Sequence, residues 1–211
     1  MPAFLLSTSS LVFLGTSVSV LRFMKSCRKL DGSPIFEYRG ALKDALEQFL
    51  WQRFFRRFPP QDASPATEEK LPFQSPVWET SLQRMSLAHA ELTAFSPFKE
   101  DWSFSDFCYA NLSESLLSES VFFGCHFFGA DLSNARLAGT DLREADLGAV
   151  GTSHGANLAG ADLRGARLEE TRLTGVLFDA GTRFPEKLSV DQYSVYGRKK
   201  EYFRLEKFHL E

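Results

Sequence analysis

The sequence predicts an all-β repeat in which the chain winds into short, stacked coils. Three observations carry that prediction. From Ser105 to Ala180 the chain repeats every five residues: SDFCY, ANLSE, SLLSE, SVFFG, CHFFG, ADLSN, ARLAG, TDLRE and ADLGA, then, after one irregular stretch, ANLAG, ADLRG, ARLEE, TRLTG and VLFDA. The third place is Leu or Phe, and the first is a small residue, Ala, Ser, Cys, Thr or Val. A period of five matches neither the 3.6 of a helix nor the 2 of an ordinary strand, and a fixed internal period is read before any local signal.

Within a quintet the first and third side chains lie two apart, so in extended backbone both point to one face. The fifth place is Glu, Gly, Asn, Ala or Tyr, which breaks the alternation and requires a corner between quintets. Coils built this way stack at the strand spacing of ~4.8 Å. The repeat core is then Phe107, Leu112, Leu117, Phe122, Phe127, Leu132, Leu137, Leu142, Leu147, Leu158, Leu163, Leu168, Leu173 and Phe178. An amphipathic helix would need apolar residues at i, i+3, i+4 and i+7. Leu132, Leu137, Leu142 and Leu147, at strict fives, march around a helix instead.

Four quintets, ADLSN at Ala130, ADLGA at Ala145, ANLAG at Ala156 and ADLRG at Ala161, resemble the A-(D/N)-L-x-x consensus of the pentapeptide-repeat family. The resemblance implies a right-handed quadrilateral β-helix, four quintets to a coil and about four coils here. Gly181 to Pro185 (GTRFP) is similar to the T-x-F-P ending of many cyanobacterial and plastid members. In such an ending Phe184 plugs the last coil, and Pro185 stops further strand pairing.

Five segments follow: an apolar N-terminal segment (1–30), an amphipathic helix region (31–60), a linker (61–84), the β-helix (85–185) and a C-terminal cap (186–211). Ala3 to Leu21 carries no charge, and Arg22, Lys25, Arg28 and Lys29 follow at once. Three readings stand. A membrane helix fits the length, and the basic cluster would hold the repeat on the cytoplasmic or stromal side. A transit peptide fits the absence of acid and the many hydroxyls, leaving a mature protein soluble in an organelle. The third reading is an apolar segment packed on the protein's own surface. A secretory signal peptide fits badly, because the basic residues follow the apolar run.

Leu42, Leu46, Phe49, Leu50 and Phe54 fall at helical spacing, and Pro59-Pro60 ends the helix. A solenoid end exposes core and needs a cap, which is the reading preferred for this helix. The alternative is membrane contact through the N-terminal 60 residues, since the region from Arg22 to Arg57 has nine basic and four acidic residues. Gln61 to Ser75 is polar and proline-rich, a linker. A faint quintet pattern begins near Met85, Trp102 fits a third place, and the first secure coil starts at Ser105. The tail from Asp191 is a capping helix or a paired strand.

Two departures stand out. Leu147 and Leu158 are eleven apart where two quintets take ten, so one extra residue should bulge at Val150 to Gly155 (VGTSHG), with His154 on it. This is a weak copy of the coil-interrupting loops of family members that act on DNA topoisomerases. The other is SLLSE-SVFFG-CHFFG. Leu116, Val121, Phe123 and Phe128 occupy second and fourth places, which face outward. Elsewhere those places hold Asp131, Arg136, Asp141, Arg143, Asp146, Asp162, Arg164 and Arg172. The early coils thus present an apolar patch that either binds a partner or is covered by the N-terminal region.

No catalytic motif is present, neither H-E-x-x-H, G-x-S-x-G nor a phosphate-cradling glycine loop. His89, His126, His154 and His209 are scattered singly, so neither a metal site nor a cofactor is indicated. Cys27, Cys108 and Cys125 are widely spaced, which points to a reducing compartment rather than a disulfide or zinc framework. The region from Asp101 to Ala180 has 12 acidic and 5 basic residues, net −7. An acidic face repels phosphate, so direct nucleic-acid binding is not expected. The function indicated is a non-enzymatic scaffold or interaction module with a protein partner, docking to a larger assembly, membrane-bound or photosynthetic by family analogy. The alternative is a DNA mimic that occupies a topoisomerase.

Overall fold

The computed structural model describes residues 25–38, 40–57, 81–97, 99–151, 153–196 and 202–210. The apolar run from Ala3 to Leu21 and the proline-rich linker from Gln61 to Ser75 lie outside the described residues.

Each quintet accounts for its five backbone N–H groups in a set way. At the corner, the third-place carbonyl accepts the N–H three residues on, as from Ala110 to Phe107 (3.0 Å) and Ala130 to Phe127 (2.9 Å). The fifth residue, third in that turn, sits at positive φ, 61° at Phe104 and 57° at Tyr109, as type II turns require. Between coils, the third-place N–H of Phe107 donates to the carbonyl of His126 (2.8 Å). The fifth-place N–H of Tyr109 donates to Phe128 (2.9 Å), and the second-place N–H of His126 to Ser105 (3.0 Å). Where the second place is Asp or Asn, its side chain accepts the fourth N–H. Asp106 accepts from Cys108, Asp131 from Ser133 and Asp146 from Gly148, at 2.9 to 3.0 Å. Asp and Asn favour that local bond over any other residue, which is why the repeat reads A-(D/N)-L.

Parallel bridges join residues twenty apart, Asp106 to His126 and His126 to Asp146, so four quintets close one coil. Four faces result. The first stacks Leu82, Trp102, Phe122, Leu142 and Leu168 inward, and the second Leu87, Phe107, Phe127, Leu147 and Leu173. The third stacks Leu92, Leu112, Leu132, Leu158 and Phe178, and the fourth Pro97, Leu117, Leu137 and Leu163. All are buried, and Trp102, Phe107 and Phe127 have no exposure at all. The aromatic interior is interlocked: Phe107 stacks on Phe127 at 5.1 Å and meets Phe122 edge-on at 5.7 Å. First-place hydroxyls are buried too, and Ser115 accepts from the Phe95 N–H while donating to the Leu92 carbonyl.

Five centres on one face mean five levels, one more than the sequence reading allowed, and the coil starts at Leu82 inside the stretch assigned to the linker. The residues around Pro97, which have no Leu or Phe at the third place, form the fourth side of the first coil, with Pro97 as its buried centre. The irregular stretch also differs from the reading. Across it the pairing step is 26 residues, Asp131 to Asn157, in place of 20. Leu147 and Leu158 are consecutive centres, so all six residues of Val150 to Gly155 form an inserted loop. The Ala156 N–H closes the corner on the Leu147 carbonyl at 2.8 Å, as if the loop were not there.

At the N-terminal end, β1 (Lys25–Arg28) and β2 (Pro34–Tyr38) form an antiparallel hairpin. Its turn holds Gly32 at φ 83°, and Asp31 accepts the Ser33 N–H. Residues on either side of β1's end bond to the first coil, Leu30 N–H to Arg84 carbonyl and Ser86 N–H to Arg28 carbonyl. Helix α1 (Leu42–Arg57) buries Ala45, Leu46, Phe49 and Leu50 in the same cluster as Leu82, Leu87 and Leu92. Phe36 of β2 stacks on Phe49 at 5.1 Å, and Arg53 pairs with Glu100 at 3.1 Å. The helix therefore closes the open end of the solenoid.

At the other end β3 (Leu177–Phe178), β5 (Tyr202–Leu210) and β4 (Leu188–Tyr196) pair antiparallel in that spatial order. Leu205 is fully buried, and its backbone bonds to Gly175 and Val176 of the last coil. Phe178 packs against Phe184 and Phe203. Among the described residues, no helix is long and apolar enough to cross a membrane.

Candidate interaction surface

Leu116, Val121, Phe123 and Phe128 lie on three consecutive faces. Leu116 stands on the fourth face, 47% exposed. Val121 and Phe123 belong to the first face and Phe128 to the second, all three half-buried. The reason is the corners: twelve residues carry the chain from Leu116 around to Phe128, past two turns.

What covers Phe123 and Phe128 is aromatic and comes from the coil below. Phe104 meets Phe123 edge-on at 5.3 Å, and Tyr109 meets Phe128 edge-on at 5.0 Å. Phe104 and Tyr109 are themselves 44% and 49% exposed. Each occupies a fifth place, at the two corners that bound the second face. His89, one level below Tyr109, stacks parallel to its ring at 5.0 Å, and the Arg143 guanidinium lies over Phe123 at 5.6 Å. Two aromatic edges thus frame the second face, one built from Phe104, Phe123 and Arg143, the other from His89, Tyr109 and Phe128.

Edge-to-face pairs contribute about 0.5–1.5 kcal/mol beyond their buried area. The rings are therefore held in place, and the surface they form is preformed. The inserted loop leaves the corner that carries Tyr109, with Val150 53% exposed. Sequence reasoning missed Phe104 and Tyr109. The available signal was an aromatic at a fifth place followed, twenty residues on, by glycine, as in Phe104 with Gly124 and Tyr109 with Gly129.

The outward carboxylates have structural work. Asp141 is held below the usual carboxylate range by the hydrogen bond from Arg143, and Asp162 is brought down to about 2 by that from Arg164. Burial pushes the Cys125 thiol up to about 12, and its S–H donates to the Trp102 carbonyl. The three cysteines are unpaired with one another. Among the described residues no cluster of three His, Cys, Asp or Glu side chains is placed to hold a metal ion.

A stack of four-sided coils with capped ends and aromatic edges defines a β-helical solenoid of the interaction type. The family model for pentapeptide repeats matches in eight copies, over residues 101–137, 125–148 and 154–179. Among solved structures, a pentapeptide repeat protein (Rfr23) from the cyanobacterium Cyanothece 51142 is 30% identical. That match covers 55% of this chain and 69% of that one, with a TM-score of 0.43. HetL from Nostoc sp. Strain PCC 7120, a pentapeptide repeat protein involved in heterocyst differentiation regulation, is 28% identical over 46% of this chain, with a TM-score of 0.41. The match spans 42% of HetL's length. A pentapeptide repeat protein of the Arabidopsis thaliana thylakoid lumen is 26% identical over 52% of this chain and 72% of that one, with a TM-score of 0.36. A comparison with curated proteins gives no match. The chain belongs to the pentapeptide-repeat family, whose members form right-handed β-helices and are generally non-enzymatic interaction proteins.

Proposed function

We propose that this protein is a non-enzymatic docking module that binds a protein partner through the aromatic edges of its second face. The observation that carries the reading is the pair of exposed rings, Phe104 and Tyr109, each locked over a second aromatic one level up. Preformed aromatic clusters of this kind are where binding energy concentrates in interfaces. Among the described residues the N-terminal cap does not cover them: Ala45, Leu46, Phe49 and Leu50 of α1 pack into the end of the solenoid. Attachment to a larger assembly, membrane-bound or photosynthetic, is the setting the family likeness suggests.

The test is a comparison of the full chain with its Phe104→Asp and Tyr109→Asp forms in affinity purification from the source cells, with membranes and soluble extract kept apart. Both positions are exposed, so the coil tolerates the change. A partner retained by the native chain and lost from both variants supports the reading. A partner retained by all three, or none in either fraction, contradicts it.

A second reading, mimicry of DNA toward a topoisomerase, is favoured by the third face. Its outward column carries Glu91, Asn111, Asp131 and Asn157. Inhibition of gyrase supercoiling by the full chain would support this alternative, and its absence would remove it.

A further inference from the structure

We infer that the fourth face, opposite the aromatic edges, holds a binding site for a phosphoryl group. Arg136, Arg164 and Arg183 converge there with Asp162, Ser118 and Asn134 around a shallow groove of about 530 Å³. The backbone places them in register: Arg136 bridges to Asp162, and Asp162 to Arg183. Successive levels lie ~4.8 Å apart, so the three guanidiniums occupy three adjoining levels of one face.

Charge accounting sets this face apart. Between residues 101 and 185 four arginines have a carboxylate partner. Arg143 and Arg167 pair with Asp141, Arg172 with Asp146 and Arg164 with Asp162. Arg136 and Arg183 carry no ion pair among the described residues, although the body around them is acidic. The one carboxylate between them, Asp162, is already held on two oxygens by Arg164 at 2.7 and 2.9 Å. Asp179 stands at the edge of the groove, its Oδ1 accepting from the N–H groups of Gly160 and Gly181, so three guanidiniums against two carboxylates leave a net +1 for an anion to neutralise. Guanidinium forks suit phosphoryl oxygens by geometry, and the Asn134 amide lines the same groove as a further donor. The ligand is a phosphoryl group, either free phosphate or a phosphorylated side chain of a partner.

Titration of the full-length chain with inorganic phosphate and, separately, with a phosphoserine peptide tests the assignment, read by backbone amide shifts at Ala138, Gly160 and Gly181. Saturable binding is expected. The Arg136→Gln/Arg183→Gln form should weaken it about a hundredfold or more, since each lost charge-assisted bond is worth about 1.5 kcal/mol or more. Asp162→Asn should tighten it, because it frees Arg164. Asn also keeps the local turn, as Asn111 and Asn157 do at the same place. Equal affinity for phosphate and phosphopeptide identifies a free anion, and a preference for the peptide identifies a modified partner. Either supports the site. No saturable binding, insensitivity to the double Gln change, or equal affinity for a glutamate peptide of the same length would overturn it.

Discussion

The ring of Phe104 lies over Gly124, the residue directly above it on the next coil. A β-carbon added to Gly124 would come within 2.8 Å of two ring carbons of Phe104, and one on Gly129 would meet Tyr109 at 2.7 Å. The exposed aromatics therefore depend on a bare backbone overhead. Gly124→Ala should cost about 1–3 kcal/mol in urea unfolding, from overpacking and from a β-carbon at φ 62°. Introducing Phe104→Ala as well should recover the overpacking share and leave the backbone share. Strict additivity of the two changes would show that the ring does not touch Gly124.

Buried hydroxyls at the same place in the repeat should differ in value. Ser115 bonds to two backbone groups of the coil below, whereas the Ser120 hydroxyl is buried without a partner among the described residues. Ser115→Ala removes both bonds while the Phe95 N–H keeps the Leu92 carbonyl at 3.1 Å, and it should cost about 0.5–1.5 kcal/mol. Ser120→Ala should be neutral or slightly stabilising. Equilibrium denaturation of the two variants side by side decides it.

Removal of Val150 to Gly155 should leave the coil intact, because Ala156 already closes its corner on Leu147. Ala149 would have to take the left-handed conformation that Ala94 adopts elsewhere, at φ 56°, at a cost of about 1–2 kcal/mol. The deletion variant should keep a cooperative melt and the native far-UV spectrum. A chain that no longer folds would mean that the loop supports the coil.

Acid should weaken the repeat in a defined window. Asp141 and Asp162 hold their protons less readily in the fold than in the unfolded chain, through the hydrogen bonds from Arg143 and Arg164. Their contribution is complete above about pH 4 and fades as the pH falls toward 2, where Asp162 titrates. Both pairs are partly open to solvent, so the effect is modest. Urea midpoints at pH 7, 4 and 2.5 should show little change over the first step and a drop over the second. A midpoint independent of pH would mean the pairs are fully screened.

The solenoid was legible because its period is written in the residues that face inward. The large third places, from Phe107 to Phe178, follow from spacing alone. Its extent was harder to read. The first coil has Pro97 where a Leu is expected and lacks the Ala-Asp-Leu wording, so only the backbone ladder reveals it. The hairpin at Lys25–Tyr38 had its signal in Asp31-Gly32, a frequent turn pair, hidden by the charges read as a membrane flank. The loop was located to the residue but miscounted, since eleven residues between leucines fit two quintets plus one as well as one quintet plus six. Hydropathy at second and fourth places pointed to Phe123 and Phe128. It could not show that fifth-place rings would cover them, because which residues meet across a corner depends on the twenty-residue stacking.

Docking through the aromatic edges is tested most directly by a photo-crosslinking amino acid placed at Tyr109, with Ser113 on the third face as the control, in the full chain within its source cells. One discrete adduct is expected from position 109, none from 113, and loss of the adduct when Phe104→Asp is added. Adducts of equal yield from both positions, or none from either, would contradict it.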